Sequence, residues 1–156
     1  MKKIILSAFA SIISLVLIAQ TYTGRNTISP LEKLNNEYAT GAFKTSDGTI
    51  FDITNDVTTR SYLNIIEWLQ GRVAGLQVYY QKDRTPVAFI RNSRAALFID
   101  EMPVEPGDLN HLIVSDIAMI KVIKGPFVMA SGNGSGGAIA IYTIKADDEE
   151  DKDDNK

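Results

Sequence analysis

Cysteine is missing from the chain's 156 residues, and histidine occurs once, at His111. Without a thiol there is no disulfide framework, no thiolate nucleophile, no cysteine-ligated metal or iron–sulfur centre, and no lipid on an N-terminal cysteine. One imidazole leaves nothing from which to build a histidine-rich metal site, and makes a histidine-based triad a poor expectation. An excess of positive charge is also lacking: 16 Lys and Arg stand against 19 Asp and Glu, a net charge of -3. That balance argues against nucleic acid as a partner. What is present is a 45% hydrophobic composition, enough for a core and incompatible with a wholly disordered chain. The length accommodates one domain.

Met1-Lys2-Lys3 is a short basic head, followed by uncharged residues from Ile4 to Ile18. That run is shorter than the ~18–20 residues of a bilayer span and suits the ~7–15 of a secretory core. Residues 1–20 are therefore expected to be a signal peptide, cut after Ala19 or Gln20. The mature chain, without a membrane span, is expected in the periplasm, free or associated with the outer membrane. A cysteine-free sequence suits that compartment, where an unpaired thiol is open to oxidation. At the far end, positions 147–156 carry 7 acidic and 2 basic side chains. Such a block repels itself and buries nothing, so 146–156 reads as a disordered acidic tail. It lacks the glycine-centred spacing of an EF-hand loop. Residues 21–36, with Gly24, Ser29, Pro30 and Asn35-Asn36, read as a flexible leader, which leaves 37–145 as the folded domain.

Within that domain, Thr49–Ile53 alternates like a short strand after the Ser46-Asp47-Gly48 turn. Leu63, Ile66, Leu69 and Val73 recur at helical spacing, widened by Ile65 and Trp68, with Ser61 or Asn64 as cap and Gly71 and Gly75 at the end. Leu76–Tyr80 reads as a strand. Val87–Ile90 and Ala95–Ile99 form a hairpin or tight crossover around Arg91–Arg94. Pro103, Pro106 and Gly107 exclude regular structure from Glu101 to Asp108. A short helix follows over Leu109–Val114, then strands over Ile120–Lys124 and Ala138–Ile144. Short mixed strands with two or three helices predict an α+β domain around a small mixed sheet.

No catalytic group assembles from these residues. Gly132-Asn133-Gly134-Ser135-Gly136-Gly137 fits G-x-G-x-x-G, but a strand follows it where a dinucleotide site needs a helix N-terminus. No cofactor and no metal are expected. Asp100 and Glu101 are adjacent on a strand end, where side chains diverge to opposite faces, and so make a poor acid–base pair. Ser131 and Ser135 lack the G-x-S-x-G context of a nucleophile, and their one imidazole partner would be His111.

Four stretches, in order, resemble the plug domain of TonB-dependent outer-membrane receptors, most closely the SusC-like transporters of Bacteroidetes. Leu69 to Val78 is similar to that group's "LQGRVAGVQV". Ile90-Arg91 and Leu97 to Pro103 are similar to "IRG" and "LYVIDGVP". Asp116 to Pro126 is similar to "DIESIEVLKGP", and Ser131 to Thr143 to "YGSRGANGVILITT". The matching motif positions are Gly71, Arg72, Gly75, Arg91, Asp100, Lys124, Gly125, Pro126, Gly132, Gly136 and Gly137. The resemblance implies a plug-like sheet flanked by helices, without enzyme activity or cofactor. It also implies a binding or interaction module related to glycan or siderophore uptake. The implied partners are an outer-membrane barrel, a TonB-type protein or a surface lipoprotein. Asn92 and Glu101 depart from the pattern where the family has glycine, and are expected to alter their loops. No barrel follows Lys145 in this sequence, so a stand-alone plug is expected. Two alternatives stand beside it: a small periplasmic enzyme using His111 with Asp100 and Glu101, and a barrel-less receptor remnant.

Overall fold

The computed structural model describes residues 28–127, 129 and 135–145. The expected signal peptide, the acidic tail and Gly132 lie outside the described residues. Helix α1, Pro30–Tyr38, begins where Ser29 accepts the Glu32 N–H on its hydroxyl at 3.1 Å. Pro30 fills the first turn, where its missing N–H breaks no bond. The flexible leader expected over 21–36 is corrected from Pro30 onward. Its polar residues form the solvent side of a helix whose Leu34 and Tyr38 pack against the core. Helix α2, Gly41–Thr45, buries Phe43.

Five strands make the larger sheet: β1 (Thr49–Asp52), β5 (Ala96–Ile99), β6 (Met102–Val104), β7 (Ile117–Lys124) and β8 (Gly137–Thr143). Their order is β1-β7-β8-β5-β6, and only the β5–β8 pair is parallel. The β-branched strands β7 and β8 are central and buried on both faces. The second sheet, ordered β2-β3-β4, holds β2 (Leu76–Tyr80), β3 (Pro86–Ile90) and β4 (Ser93–Arg94). Helix α3, Ile65–Leu69, is capped by Asn64, whose side chain accepts the Ile66 N–H at 3.0 Å.

Alternation along β5, β7 and β8 assigns the two faces of the larger sheet. Leu97, Ile120, Val122, Ile139 and Ile141 face the α3 residues and the inner side of the small sheet in one core. Phe98, Met119, Ile123, Ala140 and Tyr142 form a second core with Ala39, Phe43 and Phe127. There Phe43 meets Phe98 and Phe127 with ring centres 4.9 and 4.8 Å apart. The result is a three-layer α+β arrangement: N-terminal helices, five-stranded sheet, then α3 with the small sheet.

Local periodicity misplaced several elements. The helix expected from Leu63 to Val73 is five residues long, and Leu63 is 93% exposed. Val73 reaches the core from a turn rather than from a longer helix. The short helix expected over Leu109–Val114 is instead 3-10 turns at Asp108–Asn110 and Val114–Asp116. Between Val87–Ile90 and Ala95–Ile99 the chain does both things expected as alternatives: β3 turns back through Arg91-Asn92 to β4, a pairing that extends to the Ala95 N–H on the Ala88 carbonyl, and from Ala96 the chain crosses to the larger sheet. Strand β6 forms despite Pro103, because it lies on a sheet edge where a residue without N–H is tolerated.

Candidate functional site

Strand β5 ends at Ile99 and β6 begins at Met102, so Asp100 and Glu101 alone make the hairpin turn. Both have positive φ, +47° and +68°, as the right-handed twist of two-residue hairpins demands. The β3–β4 turn repeats this at Arg91 and Asn92, with φ of +52° and +64°. Asn92 and Glu101, which stand where glycine was expected, both take the left-handed backbone that glycine adopts freely. The steric cost is about 1–2 kcal/mol for each side chain in that region.

Side-chain bonds hold Glu101 there. Its Oε1 accepts the Thr40 N–H at 2.6 Å and the Tyr142 hydroxyl at 3.3 Å, while Oε2 accepts the Thr40 hydroxyl. Asp100 accepts the Thr143 N–H at 2.9 Å and the Thr143 hydroxyl at 2.8 Å. Lys145 donates to the Glu37 carbonyl at 2.7 Å, with its ammonium 5.0 Å from the centre of the Tyr38 ring. Tyr38, Thr40, Asp100, Glu101, Tyr142, Thr143 and Lys145 line a depression of about 370 Å³. Asp100 and Glu101 thus share one depression instead of diverging, because they occupy a turn and not a strand end. Burial, then the adjacent Glu101 carboxylate, pushes the Tyr142 hydroxyl well above the ordinary tyrosine range, which keeps it a neutral donor. Each carboxylate already receives donors, so the arrangement is a polar clamp joining the turn, the last strand and the N-terminal segment.

His111 lines a different depression, of about 340 Å³, with Arg60, Tyr62, Leu63 and Ile113. The arrangement proposed for an enzyme, His111 with Asp100 and Glu101, is not brought together. The motif positions are likewise dispersed. Arg72 follows α3, with its guanidinium 4.4 Å from the centre of the Trp68 ring and donating to the Trp68 carbonyl at 2.7 Å. Gly71 and Gly75 flank it at chain reversals, Arg91 lies in the β3–β4 turn, and Lys124 ends β7 before Gly125-Pro126. Gly136 and Gly137 show what the glycine-rich stretch does. A Cβ on Gly136 would lie 2.3 Å from the Ser93 carbonyl oxygen, and one on Gly137 2.1 Å from that of Ile123. These glycines let backbones approach each other.

Sequence reasoning missed Lys121, which is 2% exposed in the middle of β7. Its ammonium donates to the Phe43 carbonyl at 2.6 Å, Asn35 Oδ1 at 2.8 Å and the Lys44 carbonyl at 3.1 Å. Burial lowers its pKa from the ordinary lysine value, and Asp47 partly opposes the shift. The available signal was a lysine inside the strand, between Ile120 and Val122, rather than at its end like Lys124.

No family model and no curated protein matches the sequence. Among solved structures, the fold is similar to the ferric enterobactin receptor of Pseudomonas aeruginosa, with 20% identity and a TM-score of 0.53 over 64% of this chain and 18% of that chain. It is also similar to the siderophore receptor PirA of Acinetobacter baumannii, with 18% identity and a TM-score of 0.53 over 64% and 17% of the two chains. The chain therefore spans under a fifth of those receptors' length. At such identity the likeness establishes the fold, a TonB-receptor plug-like α+β arrangement as the motifs implied. No helix among the described residues is long and apolar enough to cross a membrane.

Proposed function

We propose that this chain is a receptor-plug-like binding module that works by contact, without catalysis, in the uptake of a nutrient of the siderophore or glycan type. The observation that carries the reading is the three-layer fold shared with two siderophore receptors. The motif resemblance to SusC-like transporters adds the glycan alternative. Two cores and a turn clamp within the described residues support reading it as a folded module. The reading includes export through a signal peptide over 1–20 and an acidic tail over 146–156. The partners would be an outer-membrane barrel, a TonB-type protein or a surface lipoprotein.

The test is affinity isolation of the full tagged chain from its native cell envelope after brief crosslinking. Recovery of a barrel receptor, a TonB-type protein or a surface lipoprotein is the expected result. A chain that crosslinks to none of these, while hydrolysing a substrate in a manner lost with His111→Ala, overturns the proposal.

A further inference from the structure

We propose that the outer edge of β2 is a self-association surface, on which a second copy of this chain adds its own β2 antiparallel to the first. Sheet edges expose unpaired amides, and proteins blunt them with charge, proline or short strands. The other edges here are blunted. Strand β6 carries Pro103, β4 is two residues long and flanked by the Arg94–Glu105 ion pair, and β1 ends on Asp52. Strand β2, Leu-Gln-Val-Tyr-Tyr over Leu76–Tyr80, has none of these devices.

The pairing of β2 fixes which groups are free. Arg91 N–H donates to the Gly75 carbonyl and Gln81 N–H to that of Thr85. With the register Gln77 to Phe89 and Tyr79 to Val87, residues 75, 77, 79 and 81 bond toward β3. The backbone groups of Leu76, Val78 and Tyr80 therefore point away from it. Leu76 N–H is taken by the Val73 carbonyl. Among the described residues no strand pairs with that edge.

This pattern is complementary to itself. Centred on Val78, two antiparallel copies exchange both Val78 N–H to carbonyl bonds, and each Tyr80 N–H meets the partner's free Leu76 carbonyl. The lone taken donor, Leu76 N–H, leaves the partner's Tyr80 carbonyl without its bond, so each end of the ladder makes one bond where two would form. Gln77 of each copy then lies opposite Tyr79 of the other, on the outward face where Tyr79 is 55% exposed. No charge lies on the strand to oppose the approach of an identical one. Tyr79 and Tyr80, both half exposed, supply the main side-chain area. That area is well short of the roughly 800 Å² per partner of a standard stable interface. The dimer is therefore weak and forms as concentration rises.

Sedimentation equilibrium of the full chain across a concentration series tests this, with three variants. Gln77→Lys with Tyr79→Lys in one chain sets ammonium opposite ammonium, and lowers the association constant at least about tenfold. Gln77→Glu with Tyr79→Lys sets opposite charges face to face in the same register, and restores association. Lys82→Ala, outside the strand, leaves it unchanged. Hydrogen exchange at Val78 and Tyr80 amides slows as the dimer forms. A chain that stays monomeric at its solubility limit overturns the proposal. So does association indifferent to the double lysine variant, or equally lost in both charged pairs. None of these readouts depends on uptake partners, so the proposed function stands or falls separately.

Discussion

Lys121→Met replaces a buried ammonium with an apolar group of similar reach, and the structure sets opposing consequences. Three acceptors lose their donor, at 2.6, 2.8 and 3.1 Å. The Lys44 carbonyl keeps the Asn35 side-chain amide at 3.1 Å. The Phe43 carbonyl and Asn35 Oδ1 keep no other donor among the described residues. Each orphaned acceptor costs about 1–3 kcal/mol. Against this, the ammonium no longer has to be stripped of water, a relief of several kcal/mol in a buried setting. No carboxylate bonds to it, so the three carbonyl oxygens supply its hydrogen bonds, with the Asp47 charge assisting from a distance. A net loss of about 2 kcal/mol follows, because the bonds are short and the stem of Met fills the same space. Trp68, the single tryptophan, is 1% exposed in the core on the opposite face of the sheet, and its fluorescence reports unfolding in urea. With a urea slope of about 2 kcal/mol/M for a small domain, the midpoint falls by about 1 M. A variant as stable as the parent, or more so, would refute the reasoning and show that dehydration of the ammonium outweighs its three bonds.

The turn and the glycine stretch give further expectations. Glu101→Ala and Glu101→Gly both lose the bonds to Thr40 and Tyr142, yet the glycine variant should be the more stable by about 1–2 kcal/mol, since only alanine retains the strain of positive φ; urea midpoints measure the difference. Gly137→Ala drives a Cβ against the Ile123 carbonyl and should cost about 3 kcal/mol or more. Gly71→Ala, at φ +82° with open space around its Cβ position, should cost only about 1–2 kcal/mol. Equal thermal shifts for the two would refute the contact argument. Tyr142 binds its proton more tightly folded than unfolded. The unfolded chain releases it near the ordinary value of about 10, the native chain later, so stability present below that value declines as pH rises past it. Tyr142→Phe should flatten this decline, seen in urea midpoints taken from about pH 8 to about pH 11.

The central strands were legible because their cause is local. Ile120-Lys121-Val122-Ile123 and Ala138 to Tyr142 are β-branched and small residues that suit a sheet covered on both faces. The helices were not, for a different reason in each case. Leu63 and Val73 satisfy a helical period around α3, but the first is exposed and the second is buried from a turn. Periodicity records that apolar residues are spaced to meet a surface, without recording which backbone brings them there. α1 was hidden because a five-stranded sheet, not a stripe of its own residues, supplies most of the apolar area it rests on; none of its nine residues is buried.

The clamp was illegible for a stronger reason, since its partners are far apart in the chain. Glu101 lies 61 positions from Thr40, and Lys121 lies 77 to 86 from its acceptors. Sequence did show that Glu101 departs from the glycine of the resembling family, and the inference drawn was a disturbed loop. In the structure the same side chain fastens the turn. Glycine would supply the left-handed turn without strain but carries no side chain. Glutamate accepts a cost of about 1–2 kcal/mol and returns three hydrogen bonds, two to Thr40 and one to Tyr142. The three bonds to a charged acceptor act together against that strain. Glu101 and Lys121 thereby anchor the same stretch, Asn35 to Lys44, from two points on the larger sheet. The departure from the family pattern is thus the place where this chain ties its N-terminal helices down.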